Sequence, residues 1–168
     1  MSKHCRHFMT IVPGLLLAAS ATGSLAATKT AQFQVRATLD PSCTIAASDL
    51  DFGSQGVLDA SVDATSTISV TCTSGVDYNI EFNLGDWQST NYSNRNLRHT
   101  DGYTTIKYQL YTDSARTSIW GNGNAGTQKK GGTGNGALQN LTVYGRLPTQ
   151  SVPKSGTYTD TITATINY

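Results

Sequence analysis

Beyond its first 26 positions, this chain of 168 residues has little of what most enzymes and nucleic-acid binders use. It holds three cysteines and three histidines, and Cys5, His4 and His7 fall within the first seven positions. Only Cys43, Cys72 and His99 remain further along. A structural zinc site takes four ligands, usually Cys or His, so this set is too small, and neither a metal nor another cofactor is expected. His99 stands two residues from Asp101, yet no hydroxyl is marked beside them as an activated nucleophile. The acidic residues fall singly, mostly at turns, with no pair suited to glycoside hydrolysis. No enzyme is expected. Charged residues make up 14% of the chain and the net charge is +1. No basic patch of the kind nucleic acid requires is present, and Lys129–Lys130 reads as a solvated loop tip. A sustained 3.6-residue apolar period is missing as well, which argues against helices.

The first apolar run is also too short for a membrane span of about 20 residues. "MSKHCRH" is basic, "FMTIVPGLLLAASATG" is apolar, and "SLA" at Ser24–Ala26 is small. That order reads as a secretory signal peptide over residues 1–26. The favoured cleavage is Ala26/Ala27, with Ala27/Thr28 next, and no transmembrane segment is expected afterwards. Removing 26 residues leaves 142, enough for one domain. Lys3 and Arg6 are lost, so 10 basic residues face 11 acidic ones. Cys43 and Cys72 in an exported chain are most economically a disulfide. The closed loop spans 29 residues, and loop-closure entropy assigns such a bridge about 3.5 kcal/mol.

What the chain does have is period-two alternation. "STISVTC" places Ile68, Val70 and Cys72 on one side, and "YNIEFNL" does so with Tyr78, Ile80, Phe82 and Leu84. "IKYQL" uses Ile106, Tyr108 and Leu110, while "LTV" uses Leu141 and Val143. Weaker candidates are "CTIAA", Cys43–Ala47, and "LDF", Leu50–Phe52. Short β-branched and aromatic strands separated by Gly, Asn, Ser and Asp predict an all-β, immunoglobulin-like sandwich.

Two stretches read as long loops, Gly85–Tyr103 and Gly121–Gly136. The first carries Trp87, Tyr92, Arg95 and Arg98, a candidate surface-binding set for glycans; the plainer expectation is that they cover a sandwich edge. In the second, "GNGNAG" matches the dinucleotide pattern G-x-G-x-x-G, but no helix or βαβ unit surrounds it. The match is coincidental. Asn91 and Asn140 head glycosylation sequons, which matter only in a eukaryotic secretory route.

The chain's outer runs raise a separate question. In "AQFQVRATL", Ala31, Phe33, Val35, Ala37 and Leu39 share one face without interruption. In "YTDTITATINY", Tyr158, Ile162, Ala164, Ile166 and Tyr168 do the same. An immunoglobulin-like sandwich uses about seven strands. With four clear strands between these runs, the C-terminal run is expected to border an open sheet edge, and such an edge invites another chain to pair with it. Nine extended residues reach about 30 Å. Burying Phe33, Val35 and Leu39 would contribute about 5–9 kcal/mol before ordering costs.

The blocks "SCTIAASDLDFG", "ISVTCTSGVDYNI", "YQLYTDSARTSIWGNG", "LTVYGRLP" and "SGTYTDTITATINY", in this order, resemble the spore coat protein U domain family. That family includes subunits of archaic chaperone–usher pili, and the resemblance spans essentially all of the chain after residue 26. It implies an incomplete immunoglobulin-like sandwich that lacks its final strand and is completed by a donor strand, with a disulfide matching Cys43–Cys72. It also implies delivery by a periplasmic chaperone and an outer-membrane usher, then assembly by donor-strand exchange with copies of itself or related subunits. By position, the donor residues are Ala31, Phe33, Val35, Ala37 and Leu39, and Ile162, Ala164, Ile166 and Tyr168 edge the acceptor groove. The expected layout is a signal peptide (1–26), a donor segment (27–40) and a sandwich domain (41–168). The expected role is that of a rod or adaptor subunit of a secreted surface fibre supporting adhesion or biofilm formation. The alternative is a self-contained secreted coat or glycan-binding protein whose N-terminal strand packs in cis.

Overall fold

The longest strand shows why this sequence forms sheets. In β2 (Val62–Cys72) every second residue from Ser66 to Cys72 is buried while those between are half-buried. The computed structural model describes residues 26–87, 91–151 and 154–168, so all of the expected signal peptide except Ala26 lies outside the described residues. Eight further strands occur among them: β1 (Cys43–Ala47), β3 (Asp77–Phe82), β4 (Arg95–His99), β5 (Thr105–Tyr111), β6 (Lys130–Thr133), β7 (Leu138–Leu147), β8 (Tyr158–Thr159) and β9 (Ala164–Asn167). They make a six-stranded sheet, β1-β2-β7-β5-β4-β8, and a three-stranded sheet, β6-β3-β9. All the pairings are antiparallel. No helix among these residues is long and apolar enough to cross a membrane.

The all-β expectation holds, and the inward faces of β2, β3, β5 and β7 are those the alternation marks. Ile68, Val70, Cys72, Tyr78, Ile80, Phe82, Tyr108, Leu110 and Val143 belong to one buried cluster. Trp120 joins it, stacked on Phe82 with ring centroids 4.3 Å apart, its indole N–H donating to the Ile80 carbonyl at 2.9 Å. Cys43 and Cys72 face each other in the β1–β2 register and are joined by a disulfide with S–S 2.02 Å.

Several expectations are corrected. Residues 26–37, described as a unit apart from 38–168, form neither strand nor helix, and the same is true through residue 42. Ala31–Leu39 thus pairs in no ladder of its own chain: alternation marks a surface suited to a sheet, whereas a strand exists only within a ladder. Leu50–Phe52 is not a strand either. Both long "loops" contain strands, β4 in the first and β6 in the second. The Lys129–Lys130 pair is no free loop tip. Lys129 pairs with Glu81 at 2.8 Å, and Lys130, half-buried in β6, donates to the Thr112 carbonyl at 2.9 Å. The C-terminal run does not form one strand. β8 pairs with β4, then the chain crosses to the other sheet and pairs as β9 with β3, which puts Tyr158 and Ile166 in different sheets.

A candidate strand-acceptor groove

Each sheet has two outer strands, and they differ in build. β8 is two residues long. β6 reads Lys-Gly-Gly-Thr, a composition that blunts an edge. β1 and β9 instead border a cavity of about 180 Å³. One wall comes from Ala47 and the connection after β1, with Leu50 and Phe52; the other comes from Asp160, Ile162 and Ala164. The floor holds Ile68, Phe82, Leu97, Tyr108, Leu110 and Val143. β1 is paired only with β2 and β9 only with β3, so each has an outer backbone side that no described strand takes. A mostly apolar slot, here with Ser48, Asp49, Ser66 and Asp160 also in its lining, between two free edges is the geometry that accepts an extended peptide as an added strand.

The walls are built from local detail. Ile162, Ala164 and Ile166 are half-buried and pack against the core, whereas Tyr168 lies beyond β9 and is 60% exposed. The crossover before β9 is held by Asn83, whose N–H donates to Thr163 O at 3.1 Å and whose side-chain oxygen accepts Thr163 N–H at 3.0 Å. Asp160 accepts the Tyr108 hydroxyl at 2.6 Å and the Asp86 N–H at 2.8 Å. Burial, reinforced by that carboxylate, drives the Tyr108 phenol far above its ordinary pKa. Gly85, at φ 91°, abuts the Asp160 carboxylate so closely that no side chain fits there. The residues expected to donate a strand stand open: Phe33, Val35 and Leu39 are 87%, 86% and 83% exposed, and Ala31 and Ala37 are exposed too.

The surface-binding set is split. Arg98 is exposed and lies over the Trp87 ring at 4.2 Å. Arg95 is fully buried, which corrects its assignment to a binding surface. Its guanidinium donates to Asn83 O (2.7 Å), Trp120 O (2.8 Å) and Gln109 Oε1 (2.9 Å), with the Tyr92 ring 5.3 Å away. Desolvation lowers its pKa. It fastens β4 to the core and is not available to a ligand.

His99 and Asp101 are brought together at 3.1 Å, but in a structural clamp. His99 Nδ1 accepts the Asp101 N–H at 3.0 Å, and Nε2 faces the Ser155 carbonyl at 3.2 Å, where a catalytic base would need a hydroxyl. Among the described residues no group of three or more His, Cys, Asp or Glu side chains is placed to hold a metal. Sequence reasoning missed Asp160, Leu50 and Phe52 as groove residues. The apolar pair in "LDF" was a usable signal, read as a strand when the side chains in fact point inward from a connection.

The comparisons with known proteins agree with this fold. The chain resembles, at TM-score 0.60 and 23% identity, a chain of the crystal structure of the CsuC–CsuE chaperone–tip adhesion subunit pre-assembly complex from archaic chaperone–usher Csu pili of Acinetobacter baumannii. The match covers 78% of this chain and 41% of that one, and at this identity it speaks for the fold. No curated protein matches. The family model for the Spore Coat Protein U domain matches residues 29–165, and the chain belongs to that family.

Proposed function

We propose that this protein is a structural subunit of a secreted surface fibre, a chaperone–usher pilus, assembled by donor-strand exchange. The observation that carries this reading is the apolar groove between the free edges of β1 and β9, in a chain whose Phe33, Val35 and Leu39 are exposed on an alternating segment. Family membership and the fold shared with a chain from a chaperone–subunit complex support it. On this reading residues 1–26 are removed on export, residues 27–40 donate a strand, and residues 41–168 accept one. Ala31, Phe33, Val35, Ala37 and Leu39 enter a neighbour's groove; Ile162, Ala164 and Ile166 border it. The partners are a periplasmic chaperone that covers the groove, an outer-membrane usher, and further subunits. The fibre is extracellular, serves adhesion or biofilm formation, and carries out no catalysis.

The test is an unboiled SDS gel of surface-sheared material beside a boiled sample and a Phe33→Asp variant. A heat-sensitive ladder that vanishes in the variant is the expected result. A single monomer band in every lane, with the variant merely less abundant, would return the protein to a self-contained coat or glycan-binding role.

A further inference from the structure

One end of the groove is shaped by an absence. Gly145 lies buried on β7, and Leu50 and Phe52, from the connection after β1, close over it. A methyl group at position 145 would stand 2.8 Å from Leu50 Cδ1 and 3.1 Å from Phe52 Cζ. Such distances require the neighbours to move. Leu50 and Phe52 also line the cavity, so the missing side chain of Gly145 sets how deep that wall sits and how much room remains.

We propose that Gly145, Leu50 and Phe52 form a size selector for one phenyl-sized side chain, and that its occupant is Phe33 of a second copy of this chain. The inference rests on the donor-strand reading and adds to it the register at which the strand locks. A cavity of about 150 Å³ lined by Leu, Ile and Phe holds one benzene ring; the present one is about 180 Å³, with Leu50, Phe52, Ile68, Phe82 and Leu110 in its lining beside the polar Ser48, Asp49, Ser66 and Asp160. Phe33 is the one aromatic residue between positions 27 and 42, and it is 87% exposed. Its neighbours on the same face, Ala31 and Val35, are smaller. A strand slipped by two residues in either direction would put Ala or Val where a ring fits, leaving a void whose lining loses its contacts. Parity excludes a slip of one, which turns the glutamines inward.

The experiment uses the full mature chain carrying Phe33→Asp, so that its own segment does not compete. Synthetic peptides of residues 28–41 with Phe, Leu, Ala or Trp at position 33 are titrated against it. The unaltered groove is expected to prefer Phe over Leu and Ala by about 10-fold or more. Gly145→Ala pushes Leu50 and Phe52 into the cavity and reverses the order in favour of Leu or Ala. Phe52→Ala, which leaves Gly145 in place, weakens the Phe peptide and raises the relative affinity of the Trp peptide. Thermal unfolding of each chain first establishes that it is folded. The same ranking and the same spread in all folded chains would overturn the selector while leaving strand donation intact. Absence of binding by every peptide to the unaltered groove would overturn both.

Discussion

β6 and β9 are the two outer strands of the same three-stranded sheet, each four residues long, and they solve opposite problems. β6 offers Lys-Gly-Gly-Thr, tied down by the Lys130 ammonium on the Thr112 carbonyl. It gives an approaching strand little apolar surface. β9 offers Ala-Thr-Ile-Asn, with Ala164 half-buried at the cavity and Ile166 half-buried against the core. The larger sheet repeats the contrast: β8 ends after two residues beside the His99–Asp101 clamp, while β1 borders the groove. Exposed edges are a hazard that most folds blunt wherever they occur. Here the blunting is selective, which is what a protein needs in order to pair at one place only.

The largest effect that would break this contrast is on assembly. Phe33→Asp should abolish the heat-sensitive polymer yet move the unfolding free energy of the monomer by no more than about 0.5 kcal/mol, as for other exposed sites. A large loss of monomer stability would mean that the segment belongs to its own domain. Next comes the closed side. Trp120→Ala should cost the monomer about 3–5 kcal/mol in denaturant unfolding, since a fully buried ring stacked on Phe82 leaves a cavity behind. Replacing Cys43 and Cys72 together by Ser should cost about 3.5 kcal/mol through loop entropy, measured the same way. A loss well below 1 kcal/mol would show that β1 is held by its ladder alone.

The smallest effect is a pH dependence. Asp101 accepts the N–H groups of Tyr103 and Thr104, and these bonds hold its carboxyl far below the usual range, with Lys154 adding to them. A depressed folded-state pKa gives stability that is fully present above the unfolded value, about 3.9, and is lost as the pH falls toward the folded one. Asp101→Asn should therefore lower the melting temperature at pH 7, and the gap to the unaltered chain should narrow progressively below about pH 4. A gap independent of pH would assign the effect to geometry and not to charge.

Side-chain alternation made β2, β3, β5 and β7 legible because their inward residues are apolar and their pattern runs unbroken. β4 was hidden for the reverse reason. Its inward position at one end is Arg95, a buried cation satisfied by carbonyls and Gln109, and no polarity pattern marks that as core. β6 was hidden by its glycines, which leave no side chains to alternate. The C-terminal run kept its period of two while the backbone changed sheets, since alternation records which face is apolar and not which strand is the neighbour. The half-buried positions Ile162, Ala164 and Ile166 were readable from that same alternation. The opposite wall of the cavity was not, because Leu50 and Phe52 reach Gly145 from a connection with no strand of its own.

The Cys43–Cys72 bond has a mechanical meaning. Leu39 is followed by three residues before Cys43, so a pull on the segment that precedes β1 meets a covalent cross-link almost at once. Tension then bypasses the hydrogen bonds of β1 and passes into Cys72 at the end of β2, whose eleven residues are laced to β7 over ten paired positions. A force applied along β2 loads that ladder in shear, all rungs together, instead of unzipping them one at a time. The position of one disulfide thus converts a five-residue edge strand into an anchor point for a tether.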